Sequence, residues 1–162
     1  MTITADILRS WRNPRGVIRK KLAGGVREDR ALATIMGAGV LLFVAQWPIL
    51  SRAAFLDPAT PLEARLGGAL MACLFVLPLL GYTVAQISHL VMRLFGGKGS
   101  SFGARLALFW ALLAVAPAML IQGLFAGFLG QTTAVIAVQL AVLAAFLWMW
   151  VSMLTEVARN GD

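Results

Sequence analysis

The chain has 162 residues, 60% of them hydrophobic and only 13% charged, and its mean hydropathy is +0.84, so it is too apolar for an ordinary soluble domain and lipid must be its solvent. A net charge of +7 and a pI near 11.1 would suit a nucleic-acid binder, but the basic residues sit beside apolar runs, which makes them topology signals and argues against nucleic acid as a partner. The one cysteine, Cys73, lies in an apolar run with no intrachain partner, which excludes a disulfide framework and a cysteine metal site.

The first thirty residues are polar and basic, and they lack the short apolar core and small-residue cleavage site of a signal peptide. Within them, Asp6-Ile-Leu-Arg-Ser-Trp-Arg12 places Ile7, Leu8 and Trp11 on one helical face, with Arg9 and Arg12 elsewhere. Asn13-Pro14 reads as the N-cap and first turn of a second short helix reaching Lys21, and Gly24-Gly25 ends it. Helices of this kind are expected to lie in the membrane interface, with Arg9, Arg12, Arg15, Arg19, Lys20 and Lys21 against anionic headgroups. A solvated basic tail that serves topology alone is the alternative.

A helix needs about 20 apolar residues to cross the hydrocarbon core. Ala31 to Leu50 and Leu66 to Met92 each meet that requirement between flanking arginines. Thr60-Pro61-Leu62-Glu63 ahead of the second run reads as a capping box. From Leu106 to Thr155 no residue is charged, a length that suits two spans with a hairpin at Phe128-Leu-Gly-Gln-Thr-Thr133. The expected fold is therefore all-α, a polytopic membrane bundle in three parts. These are a basic segment 1–30, a four-helix domain 31–155 (spans near 31–50, 66–92, 106–128 and 133–154) and a tail 156–162.

Twelve of the fourteen Lys and Arg residues fall on one side of this arrangement, and only Arg52 and Arg65 on the other. Basic residues are retained in the cytoplasm, so both termini are expected inside. Trp47, Trp110, Trp148 and Trp150 fall near span ends, where indoles favour the headgroup level.

No Asp, Glu, Lys or Arg lies within the predicted spans, so a proton relay or paired-carboxylate site has no material, and neither catalytic residues, a metal nor a cofactor is expected. Tyr82, Gln86, His89 and Arg93 follow at helical spacing and form one polar stripe, expected to face other helices. It reads as a groove or ion path open to the cytoplasm, or as interhelical hydrogen bonding with a snorkelling arginine; one histidine without an acidic partner favours the second. Gln46, Gln122 and Gln139 are expected to bond across the bundle. Pro48, Pro78 and Pro117 put one proline in each of the first three spans and should free carbonyls there. Gly123-Leu-Phe-Ala-Gly127, extended by Ala107, Ala111, Ala114 and Ala118, marks a close packing face for another span or another subunit. The loop Phe95-Gly-Gly-Lys-Gly-Ser-Ser101 lacks the Gly-Lys-Ser/Thr ending of a phosphate-binding loop and reads as a mobile basic loop.

The Ile-Leu-x-x-Trp-x-Asn-Pro-Arg segment from Ile7 to Arg15, the basic helix after it, Arg27-Glu-Asp-Arg30 and the compact set of spans resemble bacterial members of the Yip family, the Ypt/Rab-interacting membrane proteins. The resemblance implies a helical bundle with a cytoplasmic N-terminus and no catalytic residues. It does not imply Rab binding. The family more usually has five spans, against four here. Two functions follow from the sequence: a non-enzymatic inner-membrane scaffold, assembly factor or lipid-organising accessory, with anionic lipids and a protein partner or second copy as its contacts, or a small homo-oligomeric channel or transporter using the polar stripe.

Overall fold

Backbone polar groups in hydrocarbon have no water to turn to, and in this chain helices satisfy them. The structure, a computed structural model, describes residues 3–160, and among these every regular element is helical. Two short helices, α1 (Ile3–Ser10) and α2 (Pro14–Leu22), precede α3 (Glu28–Leu56). Then α4 (Leu62–Met71) runs through a π-helical segment (Ala72–Val76) into α5 (Leu77–Leu94), followed by α6 (Ser101–Leu129) and α7 (Thr133–Asn160). Four rods are long and apolar enough to cross a membrane: α3, α4 with α5, α6, and α7. α3 and α4 with α5 outrun their uncharged stretches at both ends, α6 at its start and α7 at its end, because flanking charged residues remain helical beyond the apolar core.

Local chemistry sets most boundaries. Asn13 Oδ1 accepts the Gly16 N–H at 2.9 Å, with Pro14 in the first turn of α2. Ser100 Oγ accepts from Gly103 N–H at the start of α6, and Thr132 Oγ1 from Val135 N–H at the start of α7. Gly130, at φ +73° and ψ −163°, ends α6 in a conformation open to glycine, and a side chain there would strike the Arg52 guanidinium. Arg52 in turn donates to the Phe128 carbonyl at 3.1 Å, putting a cation on the negative end of α6.

The capping box expected at Thr60 does not form. Pro61 is extended and flanks the helix, while Arg65 donates to the Thr60 carbonyl at 3.1 Å and to Asp57 Oδ2 at 2.8 Å, so the guanidinium ties the turn instead. Pro78 also has a consequence that periodicity does not reveal. Just before it the ladder widens to the π pattern, with Leu77 N–H reaching Ala72 O, and the missing donor of Pro78 falls where the helix has already slipped by one residue.

The helix α6 is the hub. From Phe102 to Ala116 it is buried almost all round, with α3, α5 and α7 against it and the α1–α2 pair closing its remaining side. Its outer half, beyond Pro117, leans mainly on α3 and leaves Ile121, Leu124, Phe125 and Phe128 exposed. The glycine motif decides that contact: a Cβ on Gly123 would collide with the Ala45 carbonyl, and one on Gly127 with Pro48. The partner of the motif is therefore α3 in the same chain. A similar approach joins Gly39 of α3 to the π segment, where a Cβ would lie 2.5 Å from the Cys73 carbonyl oxygen. On α7 the buried positions Val135, Val142, Met149, Met153 and Val157 recur every seven or four residues, making a seam against α6 and α2, and most of its other side chains face outward. Val17 and Ile18 of α2 belong to the same core as the spans.

Replacing Gly123 by alanine should destabilise the fold by about 1–3 kcal/mol through overpacking against Ala45. Gly67→Ala, where nothing stands within 4 Å of the new methyl, should be neutral or stabilising by up to about 1 kcal/mol. Unfolding in mixed detergent micelles compares the two; equal responses would refute the assigned α3–α6 contact.

Candidate functional site

Among the described residues, the segments that carry the twelve basic residues, namely α1–α2, the start of α3, the turn between α5 and α6 and the last turns of α7, meet at one end of the bundle. Arg105 of α6 pairs with Glu28 of α3. The Lys98 N–H donates to the Ala158 carbonyl at 3.0 Å, and side chains on Gly97 or Gly99 would run into Ala158 or Val157. The glycine-rich loop is thus packed against the last turns of α7. It is not the mobile loop expected from its composition, because its glycines allow the two backbones to meet.

The helix pair is fastened to this end by indoles. Trp11 Nε1 donates to the Ala114 carbonyl at 3.1 Å, three residues before Pro117, where the proline removes the donor for Leu113 and loosens the ladder. Trp110 Nε1 donates to Ser10 Oγ at 2.9 Å, and that hydroxyl donates onward to the Asp6 carbonyl at 2.8 Å. Both groups are buried, so the pair satisfies polar atoms that would otherwise be stranded. Trp110, nine residues and about 13 Å into α6, is thus a buried, fixed anchor for the helix pair rather than a ring left free for lipid headgroups.

Two charge contacts complete the dock. Arg19 Nε donates to Glu156 Oε1 at 2.9 Å, and the carboxylate is almost fully buried. Sequence reading placed Glu156 in a tail, but α7 runs to Asn160 and the carboxylate lies within the helix. Lys21 Nζ stands 3.5 Å from Asp6 Oδ2 and 3.5 Å above the Trp110 ring centroid, a cation–π arrangement. Its proton affinity is lowered from the usual lysine range, first by desolvation, with Lys20 and Arg30 adding repulsion and Asp6 opposing.

The six cations expected to touch lipid headgroups thus divide. Arg9, Arg12, Arg15, Arg19 and Lys20 are exposed, Arg19 while bound to Glu156. Lys21 is set apart from them: its ammonium turns onto Asp6 and the Trp110 face, because an aromatic face and a carboxylate lie within reach of its stem, and it lines a groove beside the pair.

The polar stripe on α5 also divides. The buried face of that helix is Pro78, Gly81, Ala85 and Met92, and the stripe lies beside it. Tyr82 packs edge-on against Phe109 at 5.0 Å, with the Arg105 guanidinium 6.0 Å from its ring. His89 is half-buried, and its Nδ1 has no hydrogen-bond partner among the described residues. Gln86 and Arg93 are exposed on the outside of the bundle, so the four side chains do not converge on one path within the chain. Gln46 donates to Cys73 Sγ at 3.2 Å, across from α3 to the π segment, where a bond to another glutamine was expected. No cluster of three His, Cys, Asp or Glu side chains able to hold a metal occurs among the described residues.

Two hollows flank the docked pair. A cavity of about 320 Å³ is bordered by Arg15, Arg19, Arg159 and Glu156. A larger groove of about 910 Å³ runs between α1–α2, α3 and α6, basic at its mouth and apolar below. Sequence periodicity could not reveal it, since its walls come from four separate elements. Nothing in the sequence set Trp110 apart from the other tryptophans near span ends. Comparison with known protein families, curated proteins and solved structures finds no match to this chain.

Trp110→Phe keeps an aromatic face but removes the pyrrole ring with its donor to Ser10, a loss of at least about 1 kcal/mol. Trypsin should then cleave at Arg12 or Arg15 roughly fivefold faster where opening is at equilibrium; unchanged cleavage would mean the hydrogen bond does not hold the pair. Lys21 gives a pH signature. Its folded-state affinity is lowered, so between that lowered value and 10.5 the unfolded chain binds more protons and stability rises with pH. Thermal unfolding from pH 8 to 10.5 should show that rise in the native protein and a smaller one in Lys21→Met.

Proposed function

We propose that the chain is a non-enzymatic, Yip-like accessory protein of a bacterial inner membrane, with both ends of its four-span bundle cytoplasmic. In this reading the α1–α2 pair is a basic platform that organises anionic inner-leaflet lipid, or holds a protein partner or a second copy, beside the spans.

The observation that carries it is the dock itself. A tail needed only for topology has no reason to bury Ser10 and Ile18, to spend two indole hydrogen bonds on α6, and to pair Arg19 with a carboxylate in α7. The docked pair leaves Arg9, Arg12 and Arg15 exposed at the end where the other basic residues gather. The pattern behind the Yip resemblance, Ile7 to Arg15, forms the helix, Trp11 anchor and Asn13 cap of this hairpin. The twelve-to-two distribution of Lys and Arg supports the cytoplasmic assignment of the basic end. Charges inside the membrane would point to transport, whereas the ionisable groups here are concentrated at the helix ends.

Single cysteines in a Cys73→Ser background test the orientation. A cysteine at Ala59 should react with an impermeant maleimide in right-side-out vesicles and one at Lys98 only in inverted vesicles. The opposite pattern would refute the cytoplasmic assignment.

A further inference from the structure

We propose that the groove between the α1–α2 pair, α3 and α6 binds one anionic phospholipid, with its phosphate at the cationic mouth and an acyl chain along the apolar floor. The inference rests on the cytoplasmic placement of the basic end and assigns that platform a specific ligand.

Depth is the first argument. On α3 the lining runs from Arg30 to Leu41, and on α6 from Phe102 to Leu113. Each is twelve residues, about 16 Å of helix from end to end, close to the thickness of one leaflet of a hydrocarbon core of about 30 Å. Charge and polarity change along that depth as they do along a lipid. At the mouth stand Lys20, Lys21, Arg27 and Arg30, with Asp6 as the only carboxylate in the lining; below, the walls are Gly37, Val40, Leu41, Leu106 and Leu113, with the Trp110 ring between the two zones. A volume of about 910 Å³ is in the range of sites that enclose a small molecule.

Electrostatics argue for an anion. Lys20 and Arg30 repel the Lys21 ammonium, and a phosphate among them would relieve that repulsion. Arg27 pairs with Asp29 only at an exposed site, and Arg30 has no ion pair among the described residues. A second copy of the chain is disfavoured, since it would bring the same cationic end to a cationic mouth. A soluble acidic partner would meet the mouth but leave the leaflet-deep apolar floor unfilled.

The site can be plugged without disturbing the fold. A Cβ on Gly37 meets nothing nearer than Leu113 Cδ1 at 3.9 Å, so Gly37→Phe extends into the groove from an unstrained helix. The full chain is reconstituted in nanodiscs with equal phosphatidylglycerol and phosphatidylcholine, and retained lipid is read by native mass spectrometry. The native protein should keep one phospholipid and prefer phosphatidylglycerol by roughly tenfold or more, since each basic residue near an anionic headgroup is worth about fivefold. Arg27→Gln/Arg30→Gln should bring the two lipids toward parity. Gly37→Phe should lose both while α1–α2 keeps its protection from trypsin.

Equal retention of the two lipids by the native protein would overturn the proposal, as would lipid retained in full by Gly37→Phe. So would displacement of the lipid by millimolar inorganic phosphate, which would make the mouth a site for free phosphate, or a second chain bound where lipid is expected. The cysteine labelling is read separately. Reversed labelling refutes the orientation and with it the inner-leaflet assignment; correct labelling without retained lipid refutes the lipid site alone.

Discussion

The approach of α3 to α6 is the contact on which the rest of the bundle depends. Between helices in lipid there is little hydrophobic drive, so association rests on dispersion contacts and a few hydrogen bonds, and both need backbones to come close. Gly123 and Gly127 permit this by leaving room for Ala45 and Pro48, and Gly39 repeats the device against Cys73. With α3 seated on α6 in its outer half, the inner halves are left to enclose the larger residues, Phe109 and Ile35 among them. Toward the basic end the α1–α2 pair packs against α6 through Trp11 and Ser10.

That packing turns a polar segment into part of a membrane protein's core. Burying Ser10 or the amide-rich end of a short helix would be costly without partners. The partners here are supplied by α6, through the Trp110 indole and the Ala114 carbonyl beside a proline. A proline in a span is often read as a moving part; in α6 the turn just before Pro117 offers the Ala114 carbonyl to a docked element.

The spans and every expected cap but the one at Thr60 were legible in the sequence because each rests on a local rule. Uncharged runs of the right length become helices in lipid whatever their neighbours do, and Asn13-Pro14, Gly130 and Thr132 set boundaries through bonds to residues three or four away. The π segment was not legible, since an i+5 slip leaves no mark on hydropathy. The contacts across elements were not legible either. Tyr82, Gln86, His89 and Arg93 share a face by spacing, yet only packing decides that Tyr82 meets Phe109 while Gln86 and Arg93 look outward. Glu156 was read as part of a tail because nothing in its own neighbourhood reveals that Arg19, 137 residues earlier, comes to lie beside it.

The basic residues show why counting charges could not go further than topology. A Lys or Arg contributes equally to such a count whether it floats in the headgroups, caps a helix or holds two elements together. In the structure Arg105 joins α6 to α3, Arg19 joins α2 to α7, and Lys21 is folded onto an indole, while on the opposite end Arg52 and Arg65 are committed to a helix terminus and a turn. Structural duty and topological signal therefore coincide in the same residues. A substitution that neutralises one of them alters both at once, and the two effects separate only when the replacement keeps the charge and changes the reach. Lysine for Arg19 retains the topology signal but presents a point charge in place of the planar fork that meets Glu156.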